Sequence, residues 1–354
     1  MGTGVKHSGS YNSDDVTFMF KWLSPTERDL AMSSLPGLKD SHYAENLPVE
    51  PPPDPIVERI FLSSLDRESD RTAQAVASVA AALSSLKPSP TLVSLARGGI
   101  PAGILLKRSL NAYGLHVPHY TVGMLRGIGL DVNAMQAICS RHGSDSLVFV
   151  DGWIGKGATL EELRSSAKKL GLPDRLAALA DPSGLADFSG SYDDFLVPHA
   201  LLNNTVSGLV SRPLKRSDVI GEHDYFGADY CPAYSYCDVS RLYVDKISAH
   251  FPPRFRRGSW SKSGTHPPAG AGLQAILKAA ADHSNFKAEL IKAGLSESCR
   301  ALVRNRATKI LLAPGVSPLV VPELYTLANW RNVPLIRFST TPFTCMAVVA
   351  VPTW

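Results

Sequence analysis

The sequence predicts an α/β protein: a doubly wound parallel sheet followed by a smaller α/β unit. Three observations carry this. Short apolar runs such as Thr91–Leu95 and Leu147–Val150 alternate with helix-like segments, the pattern of parallel strands joined by crossover helices. Two of these runs end in glycine-rich turns, Ala96-Arg97-Gly98-Gly99 and Gly155-Lys156-Gly157-Ala158-Thr159. The pattern then resumes after a Pro- and Gly-rich stretch, Phe251 to Gly272, which holds four cations and no acids and reads as a flexible linker.

Taken in order, residues 1–55 form an extension of poor periodicity that ends in the stiff PVEPPPDP, and Asp15 to Leu23 is a strand or an edge segment. Helices are expected over Asp54–Leu65 and Asp70–Leu86, the second rich in alanine and stopped before Pro88. The strand Thr91–Leu95 leads through the turn 96–101 into a helix over Ala102–Asn111. Val117–Leu125 is the next strand, Asn133–His142 a helix, Leu147–Val150 a buried strand, and Arg175–Ala180 another. Residues 190–250 break the pattern and read as a cap on a domain spanning 56–250. In the last unit, 273–354, Leu273–Ala293 is expected as a helix and Lys309–Ala313 as a strand. Pro318–Trp330 is a further helix, and Leu335–Phe338 and Ala347–Val351 are strands.

Composition excludes several classes. Hydrophobic residues make up 44% and charged residues 19%, ordinary for a soluble domain. No apolar run approaches the roughly 20 residues of a membrane span, and the N-terminus has no apolar signal region, so the expected location is the cytoplasm. The five cysteines (Cys139, Cys231, Cys237, Cys299, Cys345) are scattered and odd in number, which fits reduced thiols and offers no zinc spacing. Charge is uneven: residues 251–354 carry 13 Lys+Arg against 4 Asp+Glu, and residues 1–250 carry 23 against 28. That asymmetry points to a basic module meeting nucleic acid, or to a solvated surface.

The chemistry gathers at the strand ends. Asp151 closes the apolar run Leu147–Val150 and can meet a ribose hydroxyl or a Mg²⁺-bound water. Gly155 to Thr159 can cradle a phosphate at a helix start; the P-loop pattern fails for want of the upstream glycine. Ala96, Arg97, Gly98 and Gly99 suit a pyrophosphate, with amides and a guanidinium as donors. Each turn alone is also an ordinary βα connection, and two in one sheet count for more than either.

These turns resemble those of type I phosphoribosyltransferases. In order, VSLARGGIP, HYTVGMLRGIGLD, SLVFVDGWIGKGAT, LADPSGLAD and NNTVSGLVSR are similar to the StiP family of phosphoribosyltransferase-like proteins, found in bacterial tellurium-resistance and stress gene clusters. Some members of that family are labelled cysteine proteases. The resemblance implies 5-phosphate binding by Gly155, Lys156, Gly157, Ala158 and Thr159, ribose at Asp151, and pyrophosphate at Ala96, Arg97, Gly98 and Gly99. It implies a mobile loop at Arg126, Gly127, Gly129 and Asp131, and contact with the base or nucleophile at Asp181. One departure stands out: where such loops carry a second acid, this chain has Gly152, followed by Trp153.

The closing stretch, KILLAPGVSPLVVPELYTLANWRNVPLIR, is similar to the Pelota-type RNA-binding domain of the L7Ae-like class. That resemblance implies RNA contacts at Gly315, Arg337 and Thr340, with phosphate attraction from Arg304, Arg306 and Lys309. The functional expectation is a Mg²⁺-dependent protein that binds phosphoribosyl pyrophosphate or a related nucleotide and transfers its ribosyl group, with RNA as a partner, no membrane, and a homodimer allowed. Two alternatives stay open. One is a nucleotide-sensing or RNA-binding module without chemistry. The other is a cysteine hydrolase drawing on Cys139, Cys231 or Cys237 with His119, His199 or His223, for which no local motif marks a nucleophile.

Overall fold

The computed structural model describes residues 8–33, 44–47, 49–253, 263–285 and 287–350. In chain order the strands are β1 (Thr17–Phe18), β2 (Lys21–Trp22), β3 (Thr91–Leu95), β4 (His119–Val122), β5 (Met124–Leu125), β6 (Gly129–Leu130), β7 (Leu147–Trp153), β8 (Leu176–Ala180), β9 (Phe188–Ser191), β10 (Gly227–Ala228), β11 (Ile291–Ala293), β12 (Ala307–Leu312), β13 (Leu335–Arg337) and β14 (Cys345–Val349). The helices are α1 (Pro25–Met32), α2 (Pro55–Leu83), α3 (Gly99–Ala112), α4 (Val132–His142), α5 (Ala158–Leu170), α6 (Ser240–Ser248), α7 (Ala271–His283), α8 (Leu295–Val303) and α9 (Pro322–Trp330).

The main sheet runs β1-β4-β3-β7-β8-β9, and every pairing in it is parallel. Its central strands are buried on both faces, as a sheet covered on both sides requires: β3 is buried at all five positions and β7 over Leu147–Val150. α2, α3 and α6 pack together, while Ala134, Met135 and Ile138 of α4 join Leu160 and Leu163 of α5 in a separate core. The doubly wound α/β class follows. Chain order steps from β3 outward to β4 on one side and to β7 and β8 on the other. The crevice between β3 and β7 is therefore a topological switch point, where open α/β sheets hold ligands.

Several elements differ from the sequence reading. The two helices expected over 54–86 are one 29-residue helix, because no Gly or Pro interrupts Asp66–Ser69 and the Ser69 hydroxyl bonds back to the Leu65 carbonyl. α3 begins at Gly99 rather than Ala102, since Pro101 is tolerated in a first turn. Val117–Leu125 breaks at Gly123, and its end pairs with β6 in a small antiparallel ribbon. The helix expected over Leu273–Ala293 stops at His283; β11 and α8 then follow. Residues 254–262 of the expected linker lie outside the described residues, and Ser263 bridges to Ser191 at the sheet edge.

The second sheet, β11-β14-β12-β13, is mixed: β12 and β13 are parallel, and β14 runs antiparallel to β11 and β12. It is not a separate bead. Leu295, Leu302 and Leu324 share one core with Phe195, Leu196 and Val197 of the first unit. The Asp194 carboxylate accepts from the Leu295 amide at 2.8 Å, at the start of α8, and from the Thr344 amide at 2.7 Å. Burial first, against those amide bonds, pushes Asp194 up to about 6. Arg67 of α2 holds the buried Glu323 of α9 at 2.5 Å. The helix α8 is thereby set against the carboxyl ends of the main-sheet strands.

Candidate functional site at the domain junction

The two glycine-rich turns meet at the switch point. The Ala96–Arg97 peptide is cis, and Ala96 N–H bonds the Val122 carbonyl at 3.1 Å. Gly98 lies so close to the end of β7 that a Cβ there would stand 2.7 Å from Asp151 Oδ1. At Gly99 a Cβ would stand 2.1 Å from the Val150 carbonyl oxygen, an approach that only glycine admits. Asp151 is half-buried, and its Oδ1 accepts the Gly152 amide at 2.8 Å. Burial, with the nearby Glu297 adding to it, raises its carboxyl to about 7, against the Gly152 amide and Arg300, which lower it.

Gly152 has a local cause. A Cβ at this position would lie 2.6 Å from His199 Nε2 and 3.0 Å from the Gly98 carbonyl. His199 is buried, with Nε2 2.9 Å from the Gly98 oxygen and Nδ1 2.9 Å from the Tyr243 hydroxyl. Burial pushes its ring down to about 3, so it is neutral; Nε2–H donates to Gly98 and Nδ1 accepts from Tyr243. The space of a second acid is thus filled by a histidine that braces the 96–99 turn. Trp153 packs beside it, with Nε1–H donating to Glu297 Oε1 at 2.9 Å and Arg300 5.9 Å over its ring.

The cations of both turns are held by other parts of the chain. Arg97 makes a bidentate pair with Glu50 at 2.6 and 2.5 Å and donates to the Val210 carbonyl at 3.2 Å. Lys156 Nζ donates to the carbonyls of Ala288 and Glu289 at 3.0 and 3.1 Å. Burial first, then Lys292 and Arg126, push Lys156 down to about 8. The Gly155 backbone abuts β11: a Cβ there would stand 2.7 Å from the Ala293 carbonyl. Gly157 caps α5 with φ +88°, and Ala158 and Thr159 remain exposed at the helix start.

The other expected residues fall elsewhere. Asp181 is fully buried, and its carboxylate accepts from the amides of Leu185 and Ala186 and the Ser189 hydroxyl at 3.1, 2.8 and 2.8 Å. Its acceptors are spent on holding a turn. In the expected mobile loop Arg126 is exposed, Gly127 N–H bonds Glu162 at 2.9 Å, and Gly129 sits in the β5–β6 ribbon. Asp131 is buried and caps α4 through Ala134 N–H at 3.0 Å. In the second unit Arg306 is exposed and Lys309 half-buried on β12, whereas Arg304 donates to Asn203 at 3.0 Å across the junction. Arg337 donates to the Ala313 and Val316 carbonyls at 3.0 and 2.6 Å, bracing the turn of Gly315 (φ +81°), beside which Leu319 is 93% exposed. Thr340 is buried, its hydroxyl donating to the Phe343 carbonyl at 2.5 Å. Sequence reading missed Glu50, His199 as a brace, Glu297 and Arg300, none of which lies in a glycine-rich turn.

No cysteine hydrogen-bonds to a histidine among the described residues. Cys231 Sγ is 3.8 Å from Asp229 Oδ2, and burial, with Asp229 adding to it, pushes its thiol up to about 11. Cys299 and Cys345 are buried. No helix among the described residues is long and apolar enough to cross a membrane.

Fold and site together define a doubly wound α/β protein whose strand-end crevice is closed by a second α/β unit. Residues 9–248 match the family model described as "Tellurite-like stress resistance cysteine protease StiP", and residues 270–351 match the "PELOTA RNA binding domain". The chain belongs to the StiP family and carries a Pelota-type RNA-binding domain behind it. A relative named "Cysteine protease StiP", from Acinetobacter baylyi, is 29% identical over 326 residues, covering 86% of this chain and 84% of its own. Among solved structures, HGPRT-ase from Leishmania tarentolae in complex with GMP is 20% identical, with a TM-score of 0.27, over 36% of this chain and 76% of its own. Hypoxanthine phosphoribosyltransferase from Trypanosoma cruzi in complex with IMP is 15% identical, with a TM-score of 0.25, over 57% and 100%.

Proposed function

We propose that this protein binds phosphoribosyl pyrophosphate and transfers ribose 5-phosphate to a base or nucleoside-like acceptor within a stress response. One observation supports this above the others: turns 96–99 and 155–159 follow neighbouring strands β3 and β7, on either side of the switch point, with Asp151 at the end of β7. In this reading the amides and exposed hydroxyl of Gly155 to Thr159 take the 5-phosphate, Asp151 the ribose, and the 96–99 turn the pyrophosphate. Arg97 draws charge from the departing pyrophosphate as the anomeric carbon gains oxocarbenium character, and a nitrogen of the acceptor attacks it. Asp181 reaches the acceptor only by first giving up its turn.

A magnesium ion suits the junction in the mode where a carboxylate and the ligand's phosphates share it. Asp151 stands near Glu297, and a cation between them would relieve the repulsion of the two carboxylates. No group of three His, Cys, Asp or Glu that could hold a metal is found among the described residues, so phosphates would complete the shell. Such an ion, when bound, would offset negative charge on the leaving group. The Pelota-type unit is read as the part that presents RNA or a modified nucleoside.

Isothermal titration of phosphoribosyl pyrophosphate with Mg²⁺ against wild type and Asp151→Ala is the test. Heat from the wild type and loss in the variant are expected; no heat from either would overturn the reading. Pyrophosphate release on adding candidate bases or RNA separates transfer from sensing. The name of the family and of its relative favours a second reading, a cysteine hydrolase. Its nearest structural support is Cys231 at the junction, whose raised thiol runs against a poised nucleophile. Peptidase activity that survives in the wild type and vanishes in Cys231→Ser would restore it.

A further inference from the structure

The segment Val49–Pro53, which leads into α2, is strapped to the 96–99 turn through Glu50. It is fixed at one end by Asp54, which caps α2, and in the middle by the Tyr234 hydroxyl, which donates to the Glu50 carbonyl at 2.6 Å. The strap delivers one carboxylate, Glu50, onto the Arg97 guanidinium in a two-bond fork, with side-chain exposures of 18% and 6%. This is the geometry by which arginine takes a carboxylate or a phosphate alike.

Two further arginines of the second unit lie beside this turn: Arg300 stands 5.9 Å over the ring of Trp153, whose edge is 3.9 Å from where a Gly98 Cβ would be, and Arg304 meets the same Asn203 as Arg300. Arg300 is anchored on neutral oxygens, the Ala200 and Leu202 carbonyls and the Asn203 amide oxygen, at 3.0, 3.3 and 3.1 Å. Arg304 shares Asn203 at 3.0 Å. Both act on Glu50 along with Arg97: burial works to raise the Glu50 carboxyl, yet Arg97, Arg304 and Arg300 together hold it below its usual range. Burial first, then Arg304 and Arg97, push Arg300 down to about 9, a sign of crowded positive charge that Glu297 and Glu50 only partly relieve.

We propose that Arg97, Arg300 and Arg304 form one phosphate-class anion site built across the two units, and that Glu50 fills it as an internal stand-in until a ligand displaces the strap. The site takes a di- or polyphosphate group, whose several charges and oxygens match three guanidinia better than one carboxylate does. It rests on the phosphoribosyl pyrophosphate reading only for the identity of the natural ligand. Because the site is occupied in the resting molecule, apparent affinity is lowered by the fraction of time the strap is closed.

The probe is inorganic pyrophosphate, titrated calorimetrically into the full chain. Glu50→Gln keeps the side chain's size and removes its charge; it is expected to tighten pyrophosphate binding at least tenfold. Tyr234→Phe loosens the strap without touching an arginine and is expected to tighten binding by a smaller factor, which covers the case in which Glu50→Gln folds poorly. Adding Arg300→Gln to Glu50→Gln is expected to abolish the gain. Unchanged or weaker pyrophosphate affinity in both strap variants would overturn the proposal, as would an Arg300→Gln double variant that keeps the gain. Phosphoribosyl pyrophosphate that binds wild type and Glu50→Gln equally leaves the transferase reading standing and removes the strap. Pyrophosphate binding that tracks the strap variants while phosphoribosyl pyrophosphate fails to bind does the reverse.

Discussion

At the scale of single residues, Asp151 and Gly152 make opposite demands. The folded Asp151 carboxyl is raised to about 7, so its contribution to stability is fully present below its ordinary value near 3.8 and is lost as pH rises through 7. Asp151→Asn removes that loss: the variant should match wild type near pH 4 and gain on it up to pH 8, by at most about 4 kcal/mol. Urea unfolding across that range checks this, and an advantage that stays flat with pH would contradict it. Gly152→Asp, which restores the acid usual in transferase loops, should instead destabilise the chain by about 2–4 kcal/mol, because the new side chain displaces His199 from two buried hydrogen bonds. A variant with an unchanged urea midpoint would show that His199 yields at no cost. From sequence, Gly152 reads as a loss of substrate grip; in the fold it is the room that His199 needs.

At the scale of elements, α8 decides how the two units meet, and Asp194 decides how α8 is held. Its carboxylate satisfies the Leu295 amide at the start of that helix and the Thr344 amide before β14. Asp194→Ala leaves both donors without it, an expected cost of about 2–4 kcal/mol. Hydrogen exchange at Leu295 and Thr344 should speed up in that variant while β3 and β7 stay protected, and uniform loss of protection would argue for global unfolding instead. The central strands were readable because each is an apolar run closed by a turn: Thr91–Leu95 is found at its expected bounds, and Leu147–Val150 simply extends to Trp153. β11 and α8 are not, since the alternation of Ile291-Lys292-Ala293 spans only three residues and directly follows a stretch from Leu273 rich in helix formers. The candidate site follows the same rule. Its glycines and cations are local and visible, but Glu50 reaches Arg97 across 47 positions and Ala288 reaches Lys156 across 132, distances over which a single sequence holds no signal.

At the scale of the whole molecule, the basic second half divides into cations committed to the protein and cations facing outward. Arg300 and Arg304 are turned to the junction through Asn203, and Arg337 is spent on the carbonyls of the Gly315 turn and on the Tyr325 hydroxyl at 3.3 Å. Arg306 is exposed and Lys309 half-buried. If this unit grips RNA as proposed, the two groups should separate in a salt titration. With a bulged hairpin RNA as probe, Arg306→Ala and Lys309→Ala should each flatten the slope of log affinity against log salt by about 0.7–0.9, the release of one phosphate contact. Arg337→Ala should weaken binding with the slope kept, by loosening the turn that carries Gly315 and the exposed Leu319 and Val320. Leu319→Ser should do the same without loss of stability, because a side chain 93% exposed supports no core. Equal slope changes for Arg306→Ala and Arg337→Ala would mean that Arg337 leaves its carbonyls for phosphate on binding, and that the Gly315 turn is remade by the RNA rather than presented to it.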